Sequence, residues 1–162
     1  MKTPEYLSDL SEIIVINDEI IQLRNTALRK FGIDLLSTDN SRKLIVGKVL
    51  SGFNPRFKRN GVDRLYNDRE VELKTAKTES CNAGFMFHVM GDIFHKQHLF
   101  IVLDETLNVL RHYVIDNPNS VAIMNNLLQK RKIEYLEEHH GKVAKRDVIT
   151  ITENEIVSAL KG

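Results

Sequence analysis

The sequence predicts an α/β domain: a central mixed β-sheet covered on both faces by helices. Three observations lead there. Helical periodicity precedes, interrupts and follows strand-like segments, the order expected when helices pack on a sheet. The run His98-Leu-Phe-Ile-Val-Leu103 is apolar without alternation, as in a strand buried on both faces. Asp147-Val-Ile-Thr-Ile151 leads straight into Thr152-Glu153-Asn154-Glu155, a capping box that opens a last helix through Leu160.

Taken in order, the first element is a helix over 7–31. Leu7, Leu10, Ile14, Ile21, Leu28 and Phe31 form one apolar stripe, and Ile13, Ile16, Ile20, Leu23 and Ala27 a second beside it. Gly32 ends it. So wide a face is either core or partly a dimer surface. A short helix follows over about 41–50. Then come two strands, 62–66 and 69–75, around a two-residue Asn67-Asp68 turn, forming a hairpin over 62–75. Strands at 98–103 and 109–115 precede Asp116-Asn117-Pro118-Asn119, which breaks the pattern. A long helix over about 120–139 carries Ile123, Leu127, Leu128 and Tyr135. The strand and helix of 147–161 close the chain, and no repeat or linker divides 1–162 into more than one domain.

Composition is ordinary for a globular chain: 42% hydrophobic, 28% charged, net charge +1. One cysteine, Cys81, excludes an internal disulfide framework and a multi-cysteine zinc cluster. Acids interrupt the N-terminal segment where a secretory signal needs an apolar run, and no stretch is long and apolar enough to span a bilayer. A soluble cytoplasmic protein, without membrane contact or organic cofactor, is the expectation. Charge is concentrated between Asn54 and Lys77, in Arg56, Lys58, Arg59, Arg64, Arg69, Lys74 and Lys77. A second basic group, Lys130-Arg131-Lys132 with Lys142, Lys145 and Arg146, reads as solvated surface.

The segment Gly61-Val-Asp-Arg-Leu-Tyr-Asn-Asp-Arg-Glu-Val-Glu-Leu-Lys74 carries the chemistry. With a two-residue turn, Leu65 faces Glu70, Arg64 faces Val71 and Asp63 faces Glu72. Opposed residues share a face, so two carboxylates stand together and Lys74 projects beside them. Two adjacent acids repel unless a cation compensates. Mg²⁺ suits hard oxygen ligands and keeps waters that phosphate can displace. Lys74 would orient or deprotonate an attacking water and offset charge developing on phosphorus. The opposing reading, a surface carboxylate–lysine pair, is worth at most about 1 kcal/mol.

Asp63, followed by Glu72-Leu73-Lys74, resembles the D…(D/E)-x-K signature of the PD-(D/E)xK nuclease superfamily, and the chain is similar to small homodimeric type II restriction endonucleases. The likeness runs from about Asn60 to Ile115, with Val62 where the family name places proline. It implies a restriction-endonuclease-like α/β core and Mg²⁺-dependent hydrolysis of both strands of a specific double-stranded DNA site. It also implies Asp63, Glu72 and the Leu73 carbonyl as metal ligands and Lys74 as the catalytic lysine. His88, by the same resemblance, suits major-groove recognition.

Lys77, Thr78 and Asn82 leave the catalytic strand in a run of short polar side chains able to meet phosphates or base edges. Arg56, Lys58 and Asn60 lie on a basic loop suited to backbone phosphate. His95-x-x-His98 lacks a third ligand and reads as structural rather than as a zinc pair. One small site cuts one strand, so a homodimer with a two-fold axis is expected to cut both. Two alternatives are a structure-specific, junction-resolvase-like nuclease and a non-catalytic DNA-binding module of the same fold.

Overall fold

Helical periodicity at the N-terminus becomes α1 (Glu5–Phe31) in the computed structural model, which describes residues 5–57, 62–65, 67–91 and 96–162. Gly32 takes the left-handed conformation (φ 70°) that terminates the helix, its N–H donating to the Leu28 carbonyl at 2.9 Å. Arg24 then grips Asp34 with two hydrogen bonds of 2.7 and 2.9 Å. The Asn40 side-chain amide donates to the Asp34 carbonyl at 3.1 Å, joining α1 to α2 (Thr38–Val49). The second helix starts earlier than the expected 41 because Ser37 caps it.

Three strands form the main sheet: β1 (Val71–Lys77), β3 (Gln97–Leu103) and β4 (Val109–Ile115), in the order β1-β3-β4. β1 runs parallel to β3, with Glu72 beside His98 and Lys74 beside Phe100; β4 is antiparallel. Every residue of central β3 is buried, which is why its sequence does not alternate. Leu99, Ile101 and Leu103 pack with Val46 of α2 and with Phe53, Leu65 and Val71. On the opposite face Phe100 and Val102 meet Met124 and Leu128 of α3 (Pro118–Glu138) and Ile156 of α4 (Glu153–Lys161). Each such side chain contributes about 2–3 kcal/mol of burial.

The expected single central sheet is corrected in one respect. β2 (Gly84–His88) and β5 (Val148–Thr152) pair with each other, antiparallel, as a separate two-stranded ribbon. Sequence reading left 84–88 unassigned, although Phe85 and Phe87 alternate inward with Gly84, Met86 and His88 outward. The two phenylalanines close the core beside Ile149 and Ile151. The molecule is a mixed α/β fold with a small mixed sheet and four helices.

The hairpin register is also corrected. Leu65 N–H donates to Arg69 O (3.1 Å) and Asp68 N–H to Leu65 O (2.8 Å), with Asp68 left-handed at φ 58°. That is a three-residue loop ending in a left-handed residue, rather than a two-residue turn. Arg64 therefore bridges Glu70, not Val71, and Val71 N–H donates to the Asp63 carbonyl at 3.1 Å. The slip of one residue turns every side chain of the first arm over. Leu65 goes inward while Val62 is exposed, and Asp63 no longer stands opposite Glu72. No strand forms over 62–65; Arg64 makes only isolated bridges, and Tyr66 lies outside the described residues.

Elsewhere the local signals are realised. Asn117 caps α3 by accepting from Asn119 N–H at 2.9 Å, with Pro118 in the first turn, so strand β4 stops where predicted. Thr152 and Glu155 form the reciprocal capping box of α4. Among the described residues no helix is long and apolar enough to cross a membrane.

Candidate active site

β1 carries Glu72, Leu73 and Lys74 along the edge strand of the main sheet. Alternation sends Leu73 toward the α2 side, where it packs with Val71. Glu72 and Lys74 project to the other face and pair at 3.1 Å. The Lys74 ammonium also sits 4.6 Å from the centre of the Phe87 ring, so an anion and a π-face both hold it. Beneath Glu72, His98 is fully buried, with Nε2 3.3 Å from Asn125 Oδ1 and its ring stacked on Phe100. Burial pushes the His98 pKa down, against the upward pull of Asn125 and the Glu72 charge.

Asp63 has different company. Its Oδ1 accepts from Arg56 N–H at 3.0 Å and lies 3.4 Å from Lys43 Nζ; both contacts fall on this one oxygen. Lys43, buried on α2, also donates to the Arg56 carbonyl at 2.6 Å and pairs with Asp39 at 3.0 Å. Among the described residues no ion pair joins Asp63 to Lys74. Gln97 N–H donates to Glu70 O, and Val71 N–H faces Asp63 O. Successive residues of a strand turn their polar groups to alternate edges, so the Leu73 carbonyl faces the edge that Asp63 borders. Two carboxylates and this carbonyl are hard-oxygen donors of the kind a Mg²⁺-type ion takes, though among the described residues no group of three or more acidic, histidine or cysteine side chains is gathered to hold one.

A groove of about 540 Å³ runs from Lys74 along the outer side of β2. It gathers five residues named from sequence: Lys74, Lys77, Thr78, Asn82 and His88. β1 supplies the first two, the turn after it the next two, and β2 presents His88 on its exposed face. Asn82 is fixed by accepting from Asn154 N–H at 3.1 Å, and Lys77 pairs with Glu105 at 3.0 Å. Arg56 stays outside this lining, its backbone engaged with Asp63 and Lys43 and its side chain exposed. Lys58 and Asn60 fall outside the described residues.

The groove also holds a residue that sequence reasoning missed. Arg42 reaches over from α2, donating to Thr75 Oγ1 at 3.4 Å and to Asp39 at 3.1 Å. Its Nε is buried without a hydrogen-bond partner, so part of the guanidinium's donor capacity is unused in the structure. Its neighbour Lys43, which holds Asp63 and the Arg56 carbonyl, was missed as well. No protein-family model matches this sequence, and no curated protein matches it closely enough to count as a relative.

Proposed function

We propose that the protein is a Mg²⁺-dependent endonuclease that hydrolyses phosphodiester bonds at a specific site in double-stranded DNA, in the manner of a type II restriction enzyme. The observation that carries this reading is the groove. Lys74, paired to Glu72, shares one polar cavity with Arg42, Lys77, Thr78, Asn82 and His88. A cation beside an acid, flanked by further cations and short polar side chains, is what a phosphodiester and its neighbouring base edges require.

Asp63, Glu72 and the Leu73 carbonyl would hold Mg²⁺. When bound, the ion polarises the phosphoryl oxygen and acidifies a water. Lys43 and the Arg56 amide position Asp63 through Oδ1, leaving Oδ2 outside those two contacts. Lys74, held by Glu72 and the Phe87 face, would orient the attacking water and offset negative charge at phosphorus. The water oxygen bonds to phosphorus, the opposite P–O bond to the sugar oxygen breaks, the water's proton passes to solvent and the leaving oxygen takes one up. Arg42 and Lys77 receive non-bridging oxygens of the same strand. His88, Asn82 and Thr78 meet base edges farther along the groove.

The test is incubation of plasmid or phage DNA with the protein and Mg²⁺. Discrete fragments are expected. Uncut DNA, or cleavage undiminished in Lys74→Ala, would refute the reading, and preference for a four-way junction over linear duplex would replace site recognition with branch recognition.

A further inference from the structure

Asp63 already has a cation beside it. Its side chain is 12% exposed, and Lys43 Nζ lies 3.4 Å from Oδ1. Oδ2 stays outside that contact, but a positive charge this near acts on the whole carboxylate. Glu72 is answered in the same way by Lys74 at 3.1 Å. A divalent ion approaching the two acids therefore meets a lysine at each, and the like charges oppose its entry.

The contacts of Lys43 show how that opposition is lifted. Three oxygens surround its ammonium: the Arg56 carbonyl at 2.6 Å, Asp39 Oδ2 at 3.0 Å and Asp63 Oδ1 at 3.4 Å. The contact to Asp63 is the longest and gives way most easily. Asp39 is itself shared, since its other oxygen, Oδ1, accepts from Arg42 at 3.1 Å. Arg42 lines the groove, with its Nε buried and unpartnered. Positions 39, 42 and 43 are neighbours one turn apart on α2. A line of alternating charge thus runs from the groove wall to the acid: Arg42, Asp39, Lys43, Asp63.

We infer that this line couples the groove to Asp63: a phosphate oxygen taken by Arg42 releases Asp39 to draw Lys43 off Asp63, which then becomes available to a divalent ion. Asp39 is 55% exposed and free to turn, whereas Lys43, at 9%, stays between its acids. Without an anion in the groove, Lys43 keeps the ion weakly bound. Coupling of this kind is reciprocal, so the ion tightens the anion by the factor that the anion tightens the ion. The inference rests on the reading above, in which Asp63 and Glu72 take the ion and the groove takes a phosphodiester.

Calorimetry of the full chain with Mg²⁺ and no DNA reads the first half. Lys43→Met should bind Mg²⁺ about 10-fold more tightly than the wild type, and Asp39→Asn several-fold more weakly, because the whole charge of Lys43 then falls on Asp63. Circular dichroism checks the fold, and the exposure of Asp39 keeps Asp39→Asn informative should Lys43→Met fail to fold. A labelled mixed-sequence duplex, titrated with and without Ca²⁺, which takes the same oxygen ligands, reads the second half. Ca²⁺ should tighten duplex binding about 10-fold in the wild type and about threefold or less in Asp39→Asn. Mg²⁺ binding that Asp63→Asn abolishes but Lys43→Met leaves no tighter overturns the inference and leaves the ion site standing. So does a Ca²⁺ effect as large in Asp39→Asn as in the wild type. Failure of the wild type to bind either ion, with or without duplex, overturns the site reading and the inference with it.

Discussion

Two glutamates in this molecule sit in opposite circumstances. Glu153, at the start of α4, has a side chain only 3% exposed, and it receives hydrogen bonds from every side. Ala83 N–H donates at 2.7 Å, Arg111 at 2.7 and 2.9 Å, and the Tyr113 hydroxyl at 2.8 Å. It ties α4 to the start of the β2–β5 ribbon and to β4. Glu72, on the edge strand, is 27% exposed and, among the described residues, has one ion pair, to a lysine that borders a groove. A buried charge satisfied by the fold is committed to the fold. A half-exposed acid with a single cationic partner has lone pairs left for a ligand. Sequence shows both as a glutamate near an element boundary; only their surroundings separate an acid committed to the fold from one left open to a ligand.

The sharpest way to test that contrast is Lys74→Ala. Cleavage should fall about 1,000-fold, equivalent to about 4 kcal/mol of transition-state stabilisation. The melting temperature should move little, because a half-exposed pair contributes at most about 1 kcal/mol to folding. Single-turnover cleavage and a thermal scan of the same preparation read both.

Glu153→Ala should do the reverse. Stability drops by about 3 kcal/mol, since four donors on three residues lose a buried acceptor, while cleavage per folded molecule is retained. A urea titration measures the first and an active-fraction assay the second. Equal losses of activity in both variants would dissolve the distinction.

Acid sharpens it further. The Arg111 guanidinium, aided by the Ala83 amide and the Tyr113 hydroxyl and opposed by burial, lowers the Glu153 pKa from 4.5 to about 2. A depressed carboxylate pKa contributes stability in full above the unfolded value and loses it as pH falls toward the folded one. The melting temperature should therefore decline between pH 4.5 and 2, and Glu153→Gln should flatten that part of the curve. An unchanged curve in the variant would assign the decline to other carboxylates.

The smallest effect is expected from Arg42→Ala. DNA binding should weaken about 10-fold, with the slope of log K against log salt reduced by about one. Stability should hold. Fluorescence anisotropy at several salt concentrations reads the slope, and an unaltered slope would leave Arg42 out of phosphate contact.

Much of this architecture can be read in the chain by local rules. The apolar run at 98–103 marks a strand covered on both faces, and Asn117-Pro118 and Thr152–Glu155 place two helix starts. Glu72, Leu73 and Lys74 fall on one strand as their spacing requires. The register between 63 and 72 could not be read the same way. It turns on whether Asn67-Asp68 supplies two loop residues or Asp68 alone goes left-handed; Leu107, also left-handed at φ 64°, shows the same loop style between β3 and β4. Arg42 was hidden because a helix face says nothing about which distant groove it overhangs.

What the sequence determined alone is the identity of most helices and strands, and the strand that carries an acid and a lysine on one face. Those depend on periodicity and capping, which act over a few residues. Tertiary structure decided the pairing of 84–88 with 148–152, the partners that separate Asp63 from Glu72, and the gathering of Arg42 with Lys74 and His88. These are long-range choices, set by which apolar faces meet and which buried charges are answered, and no short window of sequence contains both sides of such a contact.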